Sequence, residues 1–173
     1  MTRRAILIVA ALCFSACGDD GPTGPTGQEV VDVAGVWTYT STLSNVSGGE
    51  CVGAALATIL GTTDSGTMSV NQAGATLSAT TRSNSSGSSC TYQGTAGRST
   101  IALSWLTCDA ANLTGFRCAN GAIRNVSLVT DSINATVTGN RATGTNGSSY
   151  NVTTTLGAGV GVMTITANFT ATR

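Results

Sequence analysis

The sequence predicts an all-β domain, an antiparallel up-and-down β-barrel of about eight to ten short strands with at most one short helix. Two observations lead to this prediction. Through most of the chain, apolar residues alternate with Ser, Thr or Asn at every second position, the period of a half-buried strand. Turn signals containing Gly or Asn separate these stretches at short intervals. A barrel is favoured over an open meander because closure leaves no exposed strand edge.

The first strand is predicted at residues 35–43, where Trp37, Tyr39 and Leu43 share one face and threonines occupy the other. Residues 51–60 fit either a short helix or a buried strand, because Ala and Leu favour a helix whereas an internal glycine weakens it. This segment is the one element whose type the pattern leaves open.

The later strands are predicted as hairpins separated by turns and loops. Asn146-Gly147 is the strongest signal, because both residues tolerate the positive φ of a type I′ turn. A junction is also expected near Asp131, and residues 109–117 are expected to form a loop. The other turns are predicted at Ala73-Gly74, around Gly97 and at Gly139-Asn140. The strands predicted after the first cover residues 66–72, 75–82, 90–95, 99–107, 122–130, 132–139, 141–145, 149–156 and 162–172.

The N-terminal region reads as an export signal followed by a tether. Arg3 and Arg4 precede a ten-residue apolar run, which is too short for a transmembrane helix and typical of a signal peptide. Residues 17–32 are rich in Gly, Pro and acidic residues, as in flexible linkers. The sequence therefore predicts a signal peptide at 1–16, a linker beginning at Cys17 at 17–32 and a barrel domain at 33–173.

The end of the signal, Phe14-Ser15-Ala16-Cys17, resembles a bacterial lipobox, although Phe14 stands where the family usually has Leu. The resemblance implies that Cys17 carries lipid and attaches the protein to a membrane. Gly18 is not the Asp that retains lipoproteins at the inner membrane, so the outer membrane is the expected location in a cell with two membranes. An ordinary signal peptide cleaved nearby is the alternative.

Four cysteines remain in the predicted barrel: Cys51, Cys90, Cys108 and Cys118. An even number in an exported chain predicts two disulfides. Three pairings are open, and we favour Cys108–Cys118 across one loop together with Cys51–Cys90. Zinc is not favoured, because the chain has no CxxC pair and no His.

Gly35-Val36-Trp37 resembles the G-x-W motif that opens the first strand of lipocalins and avidins. The resemblance implies that Trp37 closes one end of the barrel and that the barrel mouth binds a small, usually apolar molecule. Thr130-Asp131 is similar to the start of the lipocalins' T-D-Y motif, with Ser132 in place of the Tyr. Lipocalins also place an Arg from the last strand against this Trp, a position that Arg173 would occupy.

A closed barrel also requires the first and last strands to pair, which we expect to bring the segment near Thr38 beside the segment near Thr166. The aromatic residues either fill the core or line a ligand cavity above Trp37. The predicted cavity residues are Trp37, Tyr39, Tyr92, Leu103, Trp105 and Phe169.

The residues that the chain lacks exclude much chemistry. With no His and no Lys, it has no Ser-His-Asp triad, no Ser-Lys dyad, no Schiff-base Lys and no His-ligated metal. The acidic residues of the body, Glu50, Asp64, Asp109 and Asp131, lie at or beside predicted loops and are interpreted as solvated turn acids. Zero formal net charge gives no indication of a nucleic-acid partner.

We therefore expect no catalytic residue, no metal and no cofactor. The predicted function is that of a non-enzymatic envelope lipoprotein that binds or carries a small apolar molecule. The alternative is a structural or protein-interaction module of the envelope with a filled core, whose protein partner the sequence does not identify.

Overall fold

The structure, a computed structural model, describes residues 29–48, 60–109, 112–118 and 120–173. These residues form strands and connecting loops but no helix, so none of the described part could cross a membrane as a helix. The predicted all-β class and strand number are confirmed, while residues 51–59 of the undecided element lie outside the described residues. The nine strands are β1 (Gly35–Ser47), β2 (Thr63–Ala73), β3 (Thr76–Ser83), β4 (Ser89–Ala96), β5 (Thr100–Cys108), β6 (Asn112–Arg117), β7 (Ile123–Thr138), β8 (Arg141–Thr154) and β9 (Gly159–Thr172).

Eight of these strands close into an antiparallel barrel in the order β5-β4-β3-β2-β1-β9-β8-β7, with β7 pairing back to β5. The predicted pairing of the first and last strands is confirmed, but its register is not. Thr38 lies opposite Thr172, and Thr166 lies opposite Asn45. The observed register differs from the predicted one because the last residues of β9 lie beside the first residues of β1. The two strands therefore overlap along almost their whole length.

The barrel wall divides between β5 and β7. Their pairing ends at Ser104 and Ser132, and further along β7 the strand β6 takes over, beginning with Asn112 opposite Ser127. Residues 105–108 of β5 remain paired with β4 alone. The β4–β5 hairpin therefore diverges from β7 at one end of the barrel.

Two predicted strand breaks and one predicted loop are wrong. Asp131 and Asn146-Gly147 lie inside continuous strands of 16 and 14 residues, β7 and β8. Both strands are held by neighbours along their length, and neither Asn146 nor Gly147 has the positive φ that a type I′ turn needs. Pairing on two sides overrides the local turn preference. The predicted loop 109–117 contains β6.

The two ends of the barrel differ in their connections. The tight-turn end holds the short β2–β3, β4–β5 and β7–β8 turns, the start of β1 and the end of β9. The loop end holds the longer connections. Residues 29–34 cross the tight-turn end: the Val31 N–H donates to the Gly97 carbonyl at 2.8 Å, and the Val33 N–H donates to Gln72 Oε1 at 2.8 Å. Residues 29–32, predicted as linker, thus lie against the barrel.

The main core fills the tight-turn end. Trp37 is 1% exposed, its indole Nε1 donates to the Val33 carbonyl at 2.9 Å, and the guanidinium carbon of Arg173 lies 5.2 Å from its ring centroid. The burial expected for Trp37 and the contact expected for Arg173 are both found. Fully buried neighbours include Val33, Met68, Leu77 and Leu103.

The predicted disulfide pairing is wrong, because the bridge joins Cys90 to Cys108. In a regular hairpin, residues equidistant from the turn lie opposite each other. In the β4–β5 hairpin a register shift between Thr91 and Tyr92 changes this pairing by one residue and brings Cys90 opposite Cys108, with Cα atoms 4.1 Å apart. Cys118 is also disulfide-bonded, and its partner, like Cys51, lies outside the described residues.

Candidate functional site: a polar cavity at the loop end

The inward faces of the strands change from apolar to polar towards the loop end. Along β7, Ile133, Ala135 and Val137 point into the main core, and Asp131 follows on the same face. There a cavity of about 210 Å³ opens above the core. Its walls are Tyr39, Ser41, Asp64, Thr81, Ser83, Ser88, Cys90, Tyr92, Asp131, Ile133, Asn146, Ser148, Tyr150 and Phe169.

Asp131 is the most enclosed charged group of the cavity, with 8% of its surface exposed. Its Oδ2 accepts a hydrogen bond from the Tyr92 hydroxyl at 2.6 Å. Its Oδ1 accepts from Asn146 Nδ2 at 2.7 Å and from the Ser148 hydroxyl at 2.9 Å. All three donors are neutral. The interpretation of Asp131 as a solvated turn acid is therefore wrong, because its position on β7 directs it inward.

Asp64, near the start of β2, is the second carboxylate of the cavity. Its Oδ2 accepts from the Tyr39 hydroxyl at 3.1 Å, and its Oδ1 accepts from the Ser83 and Ser85 hydroxyls, each at 2.7 Å. Partial burial raises the pKa of Asp64, but the hydrogen bonds outweigh burial and bring that pKa below its ordinary value. Asp64 is therefore ionised at neutral pH. It is an inward-facing strand residue, and its interpretation as a loop acid is also wrong.

The tyrosines supply hydrogen-bond donors that stay protonated. Burial, together with the charge of Asp64, raises the pKa of Tyr39. Burial and the charge of Asp131 do the same for the pKa of Tyr92. The pKa of Tyr150 is raised chiefly by burial. The phenols of Tyr39 and Tyr92 thus act as neutral donors towards Asp64 and Asp131 respectively.

A glycine makes room for one of these tyrosines. Gly66 faces inward on β2, two residues after Asp64, and a Cβ there would lie 2.8 Å from Tyr39 Cε1 and collide with the carbonyl oxygen of Arg82. On its other side, the Tyr39 ring stacks on Phe169, with centroids 6.1 Å apart. Gly66 and Phe169 together fix the phenol that reaches Asp64.

The structure separates the six residues predicted to line a ligand cavity. Tyr39, Tyr92 and Phe169 line the polar cavity. Trp37 and Leu103 lie below it in the main core, where the packing leaves no room for a water molecule. Trp105 is half-buried where β5 leaves β7, and its indole Nε1 donates to the Val129 carbonyl at 3.3 Å. Of the six predicted residues, three therefore line the cavity, and the other three do not.

Sequence reasoning missed the polar half of the lining. Asp64 has the same strand parity as Met68 and Val70, and Asp131 has the parity of Ile133. Ser148 and Asn146 likewise share the inward face of β8. That parity was the available signal: a polar residue in phase with buried neighbours on a strand faces the same interior.

Within the described residues, no group of three or more His, Cys, Asp or Glu side chains is placed to hold a metal ion. The chain matches no protein-family model, no curated protein and no solved structure. The cavity itself must therefore support any argument about function.

Proposed function

We propose that this protein is a non-enzymatic, envelope-anchored lipoprotein that holds a small molecule at the loop end of its barrel. The observation that supports the proposal is the cavity of about 210 Å³ at the loop end, on which the side chains of several strands converge. A few polar groups aimed into a preformed hollow with an apolar floor are typical of small-molecule sites. The floor of Ile133 and Phe169 lies on a packed core.

The lining changes the class of ligand that the sequence predicted. A small apolar molecule would leave the carboxylates and hydroxyl groups around it without new partners. The cavity instead suits a compact molecule that has both a polar group and an apolar part. The tyrosine rings and Phe169 would contact the apolar part, and the wall of Asp64, Asp131 and Asn146 would contact the polar group.

Two carboxylates on one cavity also raise the question of glycoside hydrolysis. Such enzymes need one carboxyl group with a raised pKa as the general acid. The pKa of Asp64 is lowered instead, by the hydroxyl donors around it. The oxygens of Asp131 already accept three hydrogen bonds from neighbouring side chains. This arrangement favours binding over acid–base catalysis.

The anchor is proposed from the lipobox resemblance at Cys17. In cells that process lipoproteins, Cys17→Ser should move the protein from the detergent phase to the aqueous phase in phase partitioning. A protein with unmodified Cys17 should stay with detergent. If the substituted protein stays there as well, the lipid anchor is ruled out.

The alternative is an envelope module with structural or protein-binding roles. The packed tight-turn end, where Trp37 and its neighbours leave no room for a water molecule, favours this alternative for that half of the molecule. Under this alternative the cavity binds nothing, and filling it has no functional effect.

Native mass spectrometry of the exported protein, purified without denaturation, distinguishes the two. We expect a small non-covalent adduct on the wild type. Ser148→Phe, which places a ring in the cavity, should lose it, whereas Asn151→Phe, on the exposed face of the same strand, should retain it. Thermal melting checks that both variants fold. A wild type without an adduct, or an adduct retained by folded Ser148→Phe, would contradict binding in the cavity.

A further inference from the structure

Among the described residues, the carboxylates that line the cavity have no positively charged partner. No basic side chain is among the described residues that line it, and the chain has no Lys and no His. The ion pair between Arg173 and Asp32 lies at the tight-turn end, away from the cavity. Buried carboxylates are ordinarily paired with a cation or a metal, so it is unusual that the buried Asp131 and the part-buried Asp64 line one hollow with no counter-charge among the described residues.

Neutral donors orient the carboxylates but do not cancel their charge. A carboxylate offers about four lone-pair sites, and three hydrogen bonds occupy three of those of Asp131. One acceptor site of Asp131 therefore remains for a ligand. Since Asp131 is largely shielded from water, a charged donor there would interact more strongly than at the surface.

The other walls match the remainder of an organic cation. Three tyrosine rings and Phe169 line the same cavity, and the faces of aromatic rings attract cations. The volume of about 210 Å³ has room for a small molecule. A metal ion fits less well, because hard cations take six or more oxygen ligands, and here the carboxylate oxygens already accept hydroxyl and amide donors.

We propose that the cavity binds a small organic cation, a primary or secondary ammonium on a short aromatic or apolar body. The ammonium group would donate to Asp131, Asp64 would add the second negative charge, and the aromatic walls would contact the body. This inference rests on the proposed small-molecule function and specifies its ligand class.

Three compounds of nearly the same shape test the class: benzylamine, benzyl alcohol and benzoate, a cation, a neutral donor and an anion at neutral pH. Isothermal titration calorimetry with the full exported chain should show binding of benzylamine. Benzyl alcohol should bind about tenfold or more weakly, since it lacks a charge-assisted hydrogen bond. Benzoate should show no binding.

Charge-removing variants locate the site. Asp131→Asn should weaken benzylamine binding by about tenfold or more, and Asp64→Asn by a smaller factor, because Asp64 acts through its charge rather than by direct contact. Asp109→Asn, exposed at the end of β5, should bind as the wild type does. Circular dichroism reports whether each variant folds. Asp64 is the more exposed carboxylate, so its variant still tests the proposal if Asp131→Asn unfolds.

The outcomes separate the two proposals. Two results would overturn the proposal of a cationic ligand and leave the small-molecule proposal in place. In the first, benzyl alcohol binds as tightly as benzylamine. In the second, benzylamine binds folded Asp64→Asn and Asp131→Asn as tightly as it binds the wild type. Absence of heat with all three compounds up to millimolar concentration would overturn the cation class. A native adduct that persists in that case would still support the proposed function.

Discussion

The two ends of this barrel are built from the same strands and the same inward-outward alternation, yet their interiors have opposite character. At the tight-turn end, Trp37 and its neighbours pack too closely to admit a water molecule. At the loop end, Asp64 and Asp131 occupy equivalent inward positions and surround a cavity. Alternation therefore determines only which side chains point inward. Whether they form a core or a site depends on their chemistry at each level of the barrel.

The difference coincides with a change in the wall. Around the tight-turn end the ring is continuous, because β5 and β7 pair from Thr100 to Ser104. Immediately beyond the last pair, at Asp131, the β4–β5 hairpin separates from β7 and the Cys90–Cys108 bridge ties that hairpin together. We therefore expect the packed end to dominate stability and the cavity end to be more tolerant of substitution.

The largest effect is expected at Trp37. Trp37→Ala should lower the free energy of unfolding by roughly 3–5 kcal/mol, because it empties a fully buried site. Tyr150→Ala, at the half-buried rim of the cavity, should have less than half of that effect. Urea unfolding measures both. Equal losses would mean that the cavity end is as tightly coupled to the core as the packed end.

The second-largest effect is expected when the disulfide at the cavity end is removed. Replacing both Cys90 and Cys108 with Ser should cost about 3 kcal/mol, since the bridge closes a loop between residues 18 positions apart. The control is the double variant Thr91→Val and Thr107→Val, one pair along the same hairpin, whose exposed hydroxyls share a 2.8 Å hydrogen bond. Its loss should stay near or below about 1 kcal/mol. Equal losses of unfolding free energy in the two double variants would contradict a specific stabilising role of the disulfide.

A smaller effect is expected where the cavity wall needs a glycine. Gly66→Ala should destabilise by about 1–3 kcal/mol and shift Tyr39, because its Cβ collides with backbone. Gly147→Ala is the matched control, since the nearest atom to its Cβ is Ser132 Oγ at 3.8 Å. Urea midpoints and near-ultraviolet circular dichroism of the tyrosines measure the two variants. A neutral Gly66→Ala would show that the wall at Tyr39 adapts.

The smallest effect is expected on the pH dependence of stability. Since the folded-state pKa of Asp64 lies below its ordinary value of 3.8, its ionisation stabilises the folded protein above that pH. This contribution is lost as the pH falls through the folded pKa. Urea midpoints at about pH 6 and pH 3 should therefore differ less in Asp64→Asn than in the wild type. Asp109→Asn should keep the wild-type difference, and an unchanged difference in Asp64→Asn would contradict the assignment.

Much of the fold could be predicted because it depends on local pattern. Alternation around Trp37 and the turn signals of the β2–β3 and β7–β8 hairpins predicted strands and closure, which the pairing of β1 with β9 confirms. The length of β8 could not be predicted in this way. At Asn146-Gly147 the local turn preference competes with two neighbouring strands, and hydrogen bonds on both sides prevail.

The site was harder to predict for two physical reasons. Cys90 faces Cys108 only because of a register shift beside Tyr92, and a single-residue shift of this kind leaves no sequence signal. Asp131 has the same parity as Ile133, but its place at a predicted strand junction favours a loop. Tyr39 and Phe169 could be predicted to lie in the interior because each shares a strand face with other apolar residues, Tyr39 with Trp37 and Phe169 with Met163 and Ile165.

The segment at residues 29–34 determines which end of the barrel faces a surface to which the N-terminus is attached. Because Val31 and Val33 cross the tight-turn end, the chain enters the barrel at the end opposite the cavity, and we expect a lipid, affinity tag or support joined upstream to lie on that side. A protein immobilised through its N-terminus would therefore face the bulk solution with its cavity end. Binding measured on such a surface should match binding in free solution, whereas attachment through a residue of the β3–β4 loop, such as Ser86, would place the support beside the cavity.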